Sequence, residues 1–221
     1  MKITTKAFLI VAISLFTLQS FAQNVVVKAG LNMANMLIKD DDINFSEDFS
    51  MNPGFHIGAA IDIPVADMFS IEPGLFFETK GARYKESFLG ITGKEITNLF
   101  YIDVPVRAKV FYEINDEIKV FGAMGPYFGL GLFGNIKTVF ELLGDKEKEK
   151  EAIKWGNDED DDDLKRFDFG LTFGGGVEYN KLQAGISFDL GMANISPYTE
   201  DGTKVKNRLL RFSVGYNIGQ D

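Results

Sequence analysis

Hydrophobic and polar residues alternate along most of this chain with a period of two. From Phe167 the odd positions run Phe167, Phe169, Leu171, Phe173, Gly175, Val177, Tyr179, separated by Asp168, Gly170, Thr172, Gly174, Gly176 and Glu178. After Asn180-Lys181 the pattern resumes with Leu182, Ala184, Ile186, Phe188 and Leu190, against Gln183, Gly185, Ser187, Asp189 and Gly191. Successive side chains of a strand point to opposite faces, so two such runs about a short break predict a β-hairpin. Six more runs share the pattern: Val25 to Met33, Gly54 to Ile63, Phe69 to Lys80, Phe100 to Tyr112, Ile118 to Leu132, and Leu209 to Ile218. Their connections alternate between long polar segments (34–52, 81–97, 134–165, 193–206) and short turns (64–68, 113–116, 180–181).

Eight antiparallel runs with alternating long and short connections predict an all-β, up-and-down barrel with long connections at one end and short turns at the other. Soluble barrels of this size put apolar residues inside and polar residues outside. The non-apolar face argues for the inverse. It is dressed in Gly30, Gly58, Gly74, Gly125, Gly129, Gly131, Gly170, Gly174, Gly176, Gly185 and Gly215 with scattered charges. Glycine weakens a strand and belongs where space is short, as inside a narrow barrel. On the apolar face, Phe69, Tyr112, Tyr179 and Tyr216 fall at the short-turn end, and Phe55, Phe77, Phe100 and Phe167 at the loop end. Two aromatic rings of this kind match the interfacial girdles of a transmembrane barrel. The expectation is an eight-stranded transmembrane β-barrel with short periplasmic turns, long external loops, both termini in the periplasm, and membrane lipid as its surroundings.

Composition adjusts this picture at three points. Lys2 and Lys6 precede an apolar stretch from Ala7 to Leu18, followed by Ser20-Phe21-Ala22, which reads as a cleaved secretory signal at 1–22 with the barrel over 23–221. The chain contains no cysteine, which removes disulfides, thiol chemistry and lipid attachment at an N-terminal Cys. The net charge of −9, more negative still without the two leader lysines, argues against nucleic-acid partners. Mean hydropathy near zero, with no later apolar run of membrane-helix length, excludes a helical membrane protein and leaves a barrel open.

The inward positions carry the candidate chemistry: Lys28, His56, Asp62, Glu72, Glu78, Lys80, Asp103, Arg107, Lys109, Asp168, Glu178, Asp189 and Arg211. An unpaired buried charge is costly, so opposite signs should meet. Antiparallel register judged from the loops places Glu72 near Lys109 and Asp189 near Arg211. Eight strands leave an interior that side chains fill, which favours a structural polar plug over an ion or proton path. His56 is the sole histidine and falls toward the loop end, where a lipid-modifying site would lie, but no partner is defined for it.

In the long fifth-to-sixth connection, Asp158, Glu159, Asp160, Asp161, Asp162 and Asp163 are hard oxygen ligands of the type calcium uses, without the glycine of an EF-hand loop. The solvated acidic loop is the simpler reading. Lys146 to Glu151 alternates charge and reads as a short exposed helix or as no element, and Trp155 reads as a partner contact or a rim residue. No phosphate-cradling loop, His/Cys metal cluster or nucleophile–base spacing occurs, and no cofactor is implied. Pro73, Pro105 and Pro126 lie inside strands and predict bulges.

Several short segments, in order, give the chain a family character: Phe21-Ala22-Gln23, Lys28-Ala29-Gly30-Leu31-Asn32, Glu72-Pro73-Gly74-Leu75, Lys80-Gly81, Tyr101-Ile102-Asp103-Val104-Pro105, Gly125-Pro126-Tyr127, Asp168-Phe169-Gly170 and Gly215-Tyr216. With these the chain resembles the PorT-like, or "porin family", outer-membrane β-barrels of Bacteroidetes. The resemblance implies an eight-stranded barrel, mostly of unknown role, with some relatives serving protein secretion. The end Ile218-Gly219-Gln220-Asp221 departs from the common outer-membrane pattern of a terminal aromatic, leaving Tyr216 for that part. The functional expectation is a small outer-membrane barrel with a filled polar lumen that acts through its external loops. The alternatives are a narrow channel for ions or small solutes, and a lipid-modifying enzyme centred on His56.

Overall fold

In the computed structural model the described residues are 24–40, 49–88, 91–142, 145–199 and 202–219. The signal reading at 1–22 lies outside them. Eleven strands occur in chain order: β1 (Val25–Lys39), β2 (Phe49–Ser50), β3 (Asn52–Ile61), β4 (Ile63–Ala66), β5 (Phe69–Phe88), β6 (Ile91–Glu113), β7 (Ile118–Leu142), β8 (Asp145–Ala152), β9 (Phe167–Tyr179), β10 (Leu182–Gly191) and β11 (Lys204–Asn217). Eight of them close a ring in the order β1, β3, β5, β6, β7, β9, β10, β11, and β11 pairs back onto β1. All ladders are antiparallel. β4 continues β3 along β5, whereas β2 and β8 pair outside the ring with β5 and β7. Ring closure leaves the eight-strand band no open edge, as a lipid-exposed sheet requires. Val26 pairs with Asn217, so the start of β1 and the end of β11 lie together at the short-turn end.

Each apolar ribbon points outward. Leu31, Ile57, Leu75, Val104, Met124, Leu171, Ile186 and Val214 are all exposed, and Phe167 is 76% exposed. The aromatic positions Phe55, Phe69, Tyr112, Tyr179 and Tyr216 are exposed as well, and Phe77 and Phe100 are half-buried by each other. Phe77 stacks on Phe100 at 5.9 Å, and Phe100 stacks on Phe133 at 4.6 Å. The two aromatic levels therefore lie on the outer surface of the ring.

The long connections differ from the expectation. A membrane strand needs about 9–11 residues, yet β5, β6 and β7 span 20, 23 and 25. Within 81–97, residues 81–88 and 91–97 extend β5 and β6 as paired strands rather than a loop, and 134–142 continues β7. Lys146 to Glu151, read as helix or unstructured, lies in β8. Gly81 sits where these extensions leave the ring. Its φ of +125° suits only glycine, and a Cβ there would lie 2.0 Å from the Thr97 carbonyl oxygen.

The bulges expected at Pro73, Pro105 and Pro126 do not form. Register is unchanged across all three, and shifts occur instead at Pro64/Ala66 and Phe100/Tyr101. In an antiparallel ladder a residue aims its N–H and C=O at one neighbour, so proline removes one bond on one side without demanding an extra residue. Opposite Pro73 the ladder simply lapses at Ile61 and Asp62 and resumes in register at Ile63–Ile71. The bulge facing Phe100 has a larger effect, because it inserts Leu132 and reverses the facing of the rest of β7. Outward positions on β7 are even-numbered up to Leu130 and odd-numbered from Phe133.

Candidate functional site

Inside the ring, charged side chains replace an apolar core. At the short-turn end Lys109 Nζ lies 2.6 Å from Asp62 Oδ2 and 2.5 Å from Glu178 Oε1, and Gln183 donates to Glu178 at 2.6 Å. Next along the axis, Glu72 accepts from Lys28 at 2.8 Å and from Arg107. The expected Glu72–Lys109 contact is the weakest of this group at 4.0 Å, since register places Arg107, and not Lys109, opposite Glu72. Above it, Arg211 binds Asp189 through both carboxylate oxygens and Glu78 at 2.8 Å, with Thr172 beside them. At the top, Lys80 lies 2.7 Å from Asp103 and 3.0 Å from Asp168, with its ammonium 4.6 Å from the ring centres of both Tyr101 and Tyr127. Tyr127 and Asn207 also donate to Asp168.

All thirteen residues of the inward set thus fall on the lumen side, and twelve of them enter these ion pairs. Lys80 and Lys109 are each 1% exposed. Buried ions lose several kcal/mol of hydration each, so such a network holds only because every ion faces an opposite charge. Sequence reasoning missed the aromatic and amide partners Tyr101, Tyr127, Asn32 and Asn207. Tyr101 and Tyr127 were visible as inward positions of their runs, and their place beside Lys80 was not.

His56 is the thirteenth. It lies midway along β3, not at its loop end, and is 2% exposed. The Asn32 amide nitrogen donates to the carbonyls of Phe55 and Thr79, so Asn32 Oδ1 must accept, at 2.6 Å, from His56 Nδ1. That leaves Nε2 to accept the Ser213 hydroxyl at 2.9 Å. A Ser–His contact exists, then, but the cavity beside it measures only 30 Å³, which holds a water and no acyl chain.

Glu78, Asp103 and Asp189 form the only group with metal-ligand spacing among the described residues. Arg211 and Lys80 already occupy its flanks, and their charges oppose a divalent ion there. The acidic loop uses its carboxylates differently. Asp162 Oδ2 accepts the Asp158 backbone N–H at 2.9 Å, Asp158 Oδ1 accepts that of Asp160 at 3.0 Å, and Asp163 Oδ2 accepts that of Lys154 at 2.8 Å. These side chains tie off a turn, and three of them do not converge on a common point among the described residues.

At the loop end an apolar cluster closes the lumen. Met36, Ala82, Leu99 and Tyr101 from the strands meet Ile153, Ala193 and Ile195 from the connections, with Ile136, Trp155, Leu164 and Val205 packed around them. Trp155 lies against Tyr101 edge-on at 5.8 Å, and its ring occupies the space a side chain at Gly131 would need. It is therefore a roof residue rather than an exposed contact. The opposite mouth stays open as a vestibule of 150 Å³ lined by Asp62, Lys109, Lys119, Glu178 and Gln183, among others.

The solved structures that match the chain do so at low identity. Ail, the attachment invasion locus protein of Yersinia pestis, solved with the heparin analogue sucrose octasulfate, is 16% identical, covers 88% of this chain and 99% of its own, and has a TM-score of 0.36. Neisserial surface protein A is 14% identical, with coverage of 88% and 97% and a TM-score of 0.41. The translocator domain of autotransporter NalP from Neisseria meningitidis is 11% identical, with coverage of 97% and 95% and a TM-score of 0.26. No curated protein matches the chain. The family model described as outer membrane protein beta-barrel domain matches residues 21–196, which takes in every ring strand except β11. A closed ring with an apolar exterior agrees with that description, and the chain belongs to the outer membrane protein beta-barrel domain family.

Proposed function

We propose that this protein is a plugged barrel of the outer membrane, of the PorT-like Bacteroidetes kind, exported by a signal at 1–22 and acting through the structure it raises above the membrane. The observation that carries this reading is the doubly closed lumen. Ion pairs centred on Arg211 and Lys80 fill the bore, and the Leu99–Ile153–Ile195 cluster roofs it. The vestibule at the short-turn end is then a blind pocket ending near Lys109. The strand extensions, β8 and the roof place far more ordered backbone beyond the loop-end aromatics than a simple anchor needs. Long, ordered projections of this kind suit contact with other surface molecules.

Lipid modification around His56 is not favoured. The imidazole is enclosed, its two nitrogens are committed to Asn32 and Ser213, and the 30 Å³ cavity beside it is too small for an acyl chain.

Planar-bilayer recording of the purified, folded protein tests the plug. The expected result is no steady unitary conductance. Stepwise ohmic openings that persist at low voltage would overturn the reading in favour of a narrow channel.

A further inference from the structure

Beyond the loop-end aromatics, β5, β6, β7 and β8 form a four-stranded sheet. Register sorts its charges by face, except that Glu141 lies on the lysine side at its outermost row. Lys85 pairs across from Lys94, Lys94 from Val139, and Val139 from Lys148. One row nearer the barrel, Ile96 lies opposite Lys137 and Lys137 opposite Lys150. These lysines continue the outward ribbon of Phe77, Phe100 and Phe133. The other face carries Glu86, Glu95, Glu147, Glu149 and Glu151. Strand periodicity turns the Lys/Glu alternation of β8 into a segregation by face, where a helix would have mixed the signs.

Two directly opposed lysine pairs, Lys85–Lys94 and Lys137–Lys150, are unfavourable by themselves. Among the described residues no carboxylate lies within ion-pair distance of these five lysines, and all but the half-buried Lys94 are exposed. A face built this way calls for an external anion. Its height narrows the choice. Lys137 is four residues beyond Phe133 and Lys85 eight beyond Phe77, or about 13 and 26 Å along the strand. With a strand tilt of about 40°, the lysines stand roughly 10 to 20 Å above the aromatic level. A phospholipid headgroup layer is only about 6 Å deep. The face also points sideways, over the lipids that the barrel displaces, and not along the axis into solution.

We propose that this lysine face binds the phosphate-bearing saccharide headgroups of outer-leaflet glycolipids around the barrel. The proposal rests on the reading that the loop end is external.

The test uses full-length folded protein, which carries no cysteine to complicate labelling. It is placed in vesicles of phosphatidylethanolamine doped with lipopolysaccharide, either native or enzymatically dephosphorylated, and glycolipid retained on the immobilised protein is measured. The wild type is expected to enrich the native form over the dephosphorylated form. Replacing Lys85, Lys94, Lys137, Lys148 and Lys150 by Gln is expected to lower that enrichment by about tenfold or more. Glu147→Gln/Glu149→Gln/Glu151→Gln should leave it unchanged. Heat-dependent gel mobility establishes that each variant is a folded barrel.

Equal retention by the lysine variant, or equal retention of dephosphorylated lipid, overturns the proposal. Lysine-dependent binding of soluble dextran sulfate without glycolipid enrichment replaces the lipid with a free polyanion and also overturns it. So does lysine-dependent dimerisation, in glycolipid-free vesicles, that the glutamate variant also loses. Protease added outside intact cells checks the underlying orientation separately: cleavage at the short-turn end refutes the external reading, whatever the lipid result.

Discussion

Below the Phe77–Phe100–Phe133 stack the ring strands carry ions inside and hydrocarbon outside; above it the same strands carry Leu99, Ile136 and Met36 inside and Lys137 and Lys85 outside. The chain does not change its period at this level. What changes is the medium beyond the outer face. In hydrocarbon, an outward apolar side chain is at home and a charge must find an enclosed partner. In water, the same exterior must be polar, and the interior is free to bury apolar surface at about 25 cal/mol per Å². Each storey is therefore held by a different interaction, ion-pair satisfaction below and the hydrophobic effect above. Lys80 and Tyr101 sit at the junction, with the ammonium paired to Asp103 and laid against the ring that begins the apolar roof.

The largest effect should come from the lower storey. Arg211→Leu leaves Glu78 and Asp189 buried without their shared cation and is expected to destabilise the barrel by about 3–5 kcal/mol. Urea titration in detergent, followed by gel mobility, measures it, and an unchanged midpoint removes the ion network as a source of stability. In the upper storey, Leu99→Ala, at a site with 0% exposure, is expected to cost about 2–5 kcal/mol. That loss should appear in the fluorescence of Trp155, the single tryptophan of the chain, while barrel circular dichroism holds to higher denaturant. Coincident loss of both signals would show that roof and barrel unfold as one unit.

The outer face offers the cleanest contrast. Met124→Arg introduces a charge at a 62% exposed position of the lower storey and should cost about 2–4 kcal/mol. Val139→Arg, outward on the same strand above the bulge, should cost no more than about 1 kcal/mol even though it faces Lys94 and Lys148. Equal costs at the two sites would erase the boundary between the storeys. Where the storeys meet, the expected effect lies between those two. Gly81→Ala forces a Cβ into a left-handed backbone against the Thr97 carbonyl and should cost about 1–3 kcal/mol, read as earlier loss of the β5–β6 hairpin in amide exchange.

The lower storey was legible because contrast between its faces is large: runs such as Phe167 to Tyr179 and Leu182 to Leu190 announce strand, face and count together. The upper storey was hidden for physical reasons. Along Lys85-Glu86 and Lys146 to Glu151 both faces are charged, so the period of two is carried by the sign of charge and hydrophobicity shows nothing. The Leu132 bulge also shifts the parity of β7 just where its alternation would have extended the run. Inward charges were legible as a set, because each occupies the minority face of a clear strand. Of their partners, the Asp189–Arg211 pair was legible, because β10 and β11 are neighbouring strands, whereas the contacts of Lys28 with Glu72 and Arg211 with Glu78 cross the bore between strands that are not neighbours in the ring. Pro73 misled because a missing N–H was equated with an extra residue, whereas the ladder tolerates a gap.

The inverted lower storey is tested most directly by spin labels placed one at a time in this cysteine-free chain. Leu75, Val104, Met124, Leu171 and Val214 should show high collision rates with oxygen and low rates with a water-soluble nickel chelate in lipid vesicles, and Lys85 and Lys137 the reverse. If the chelate reaches those five outward positions as readily as the two lysines, the apolar ribbons do not face hydrocarbon and the two-storey account is wrong.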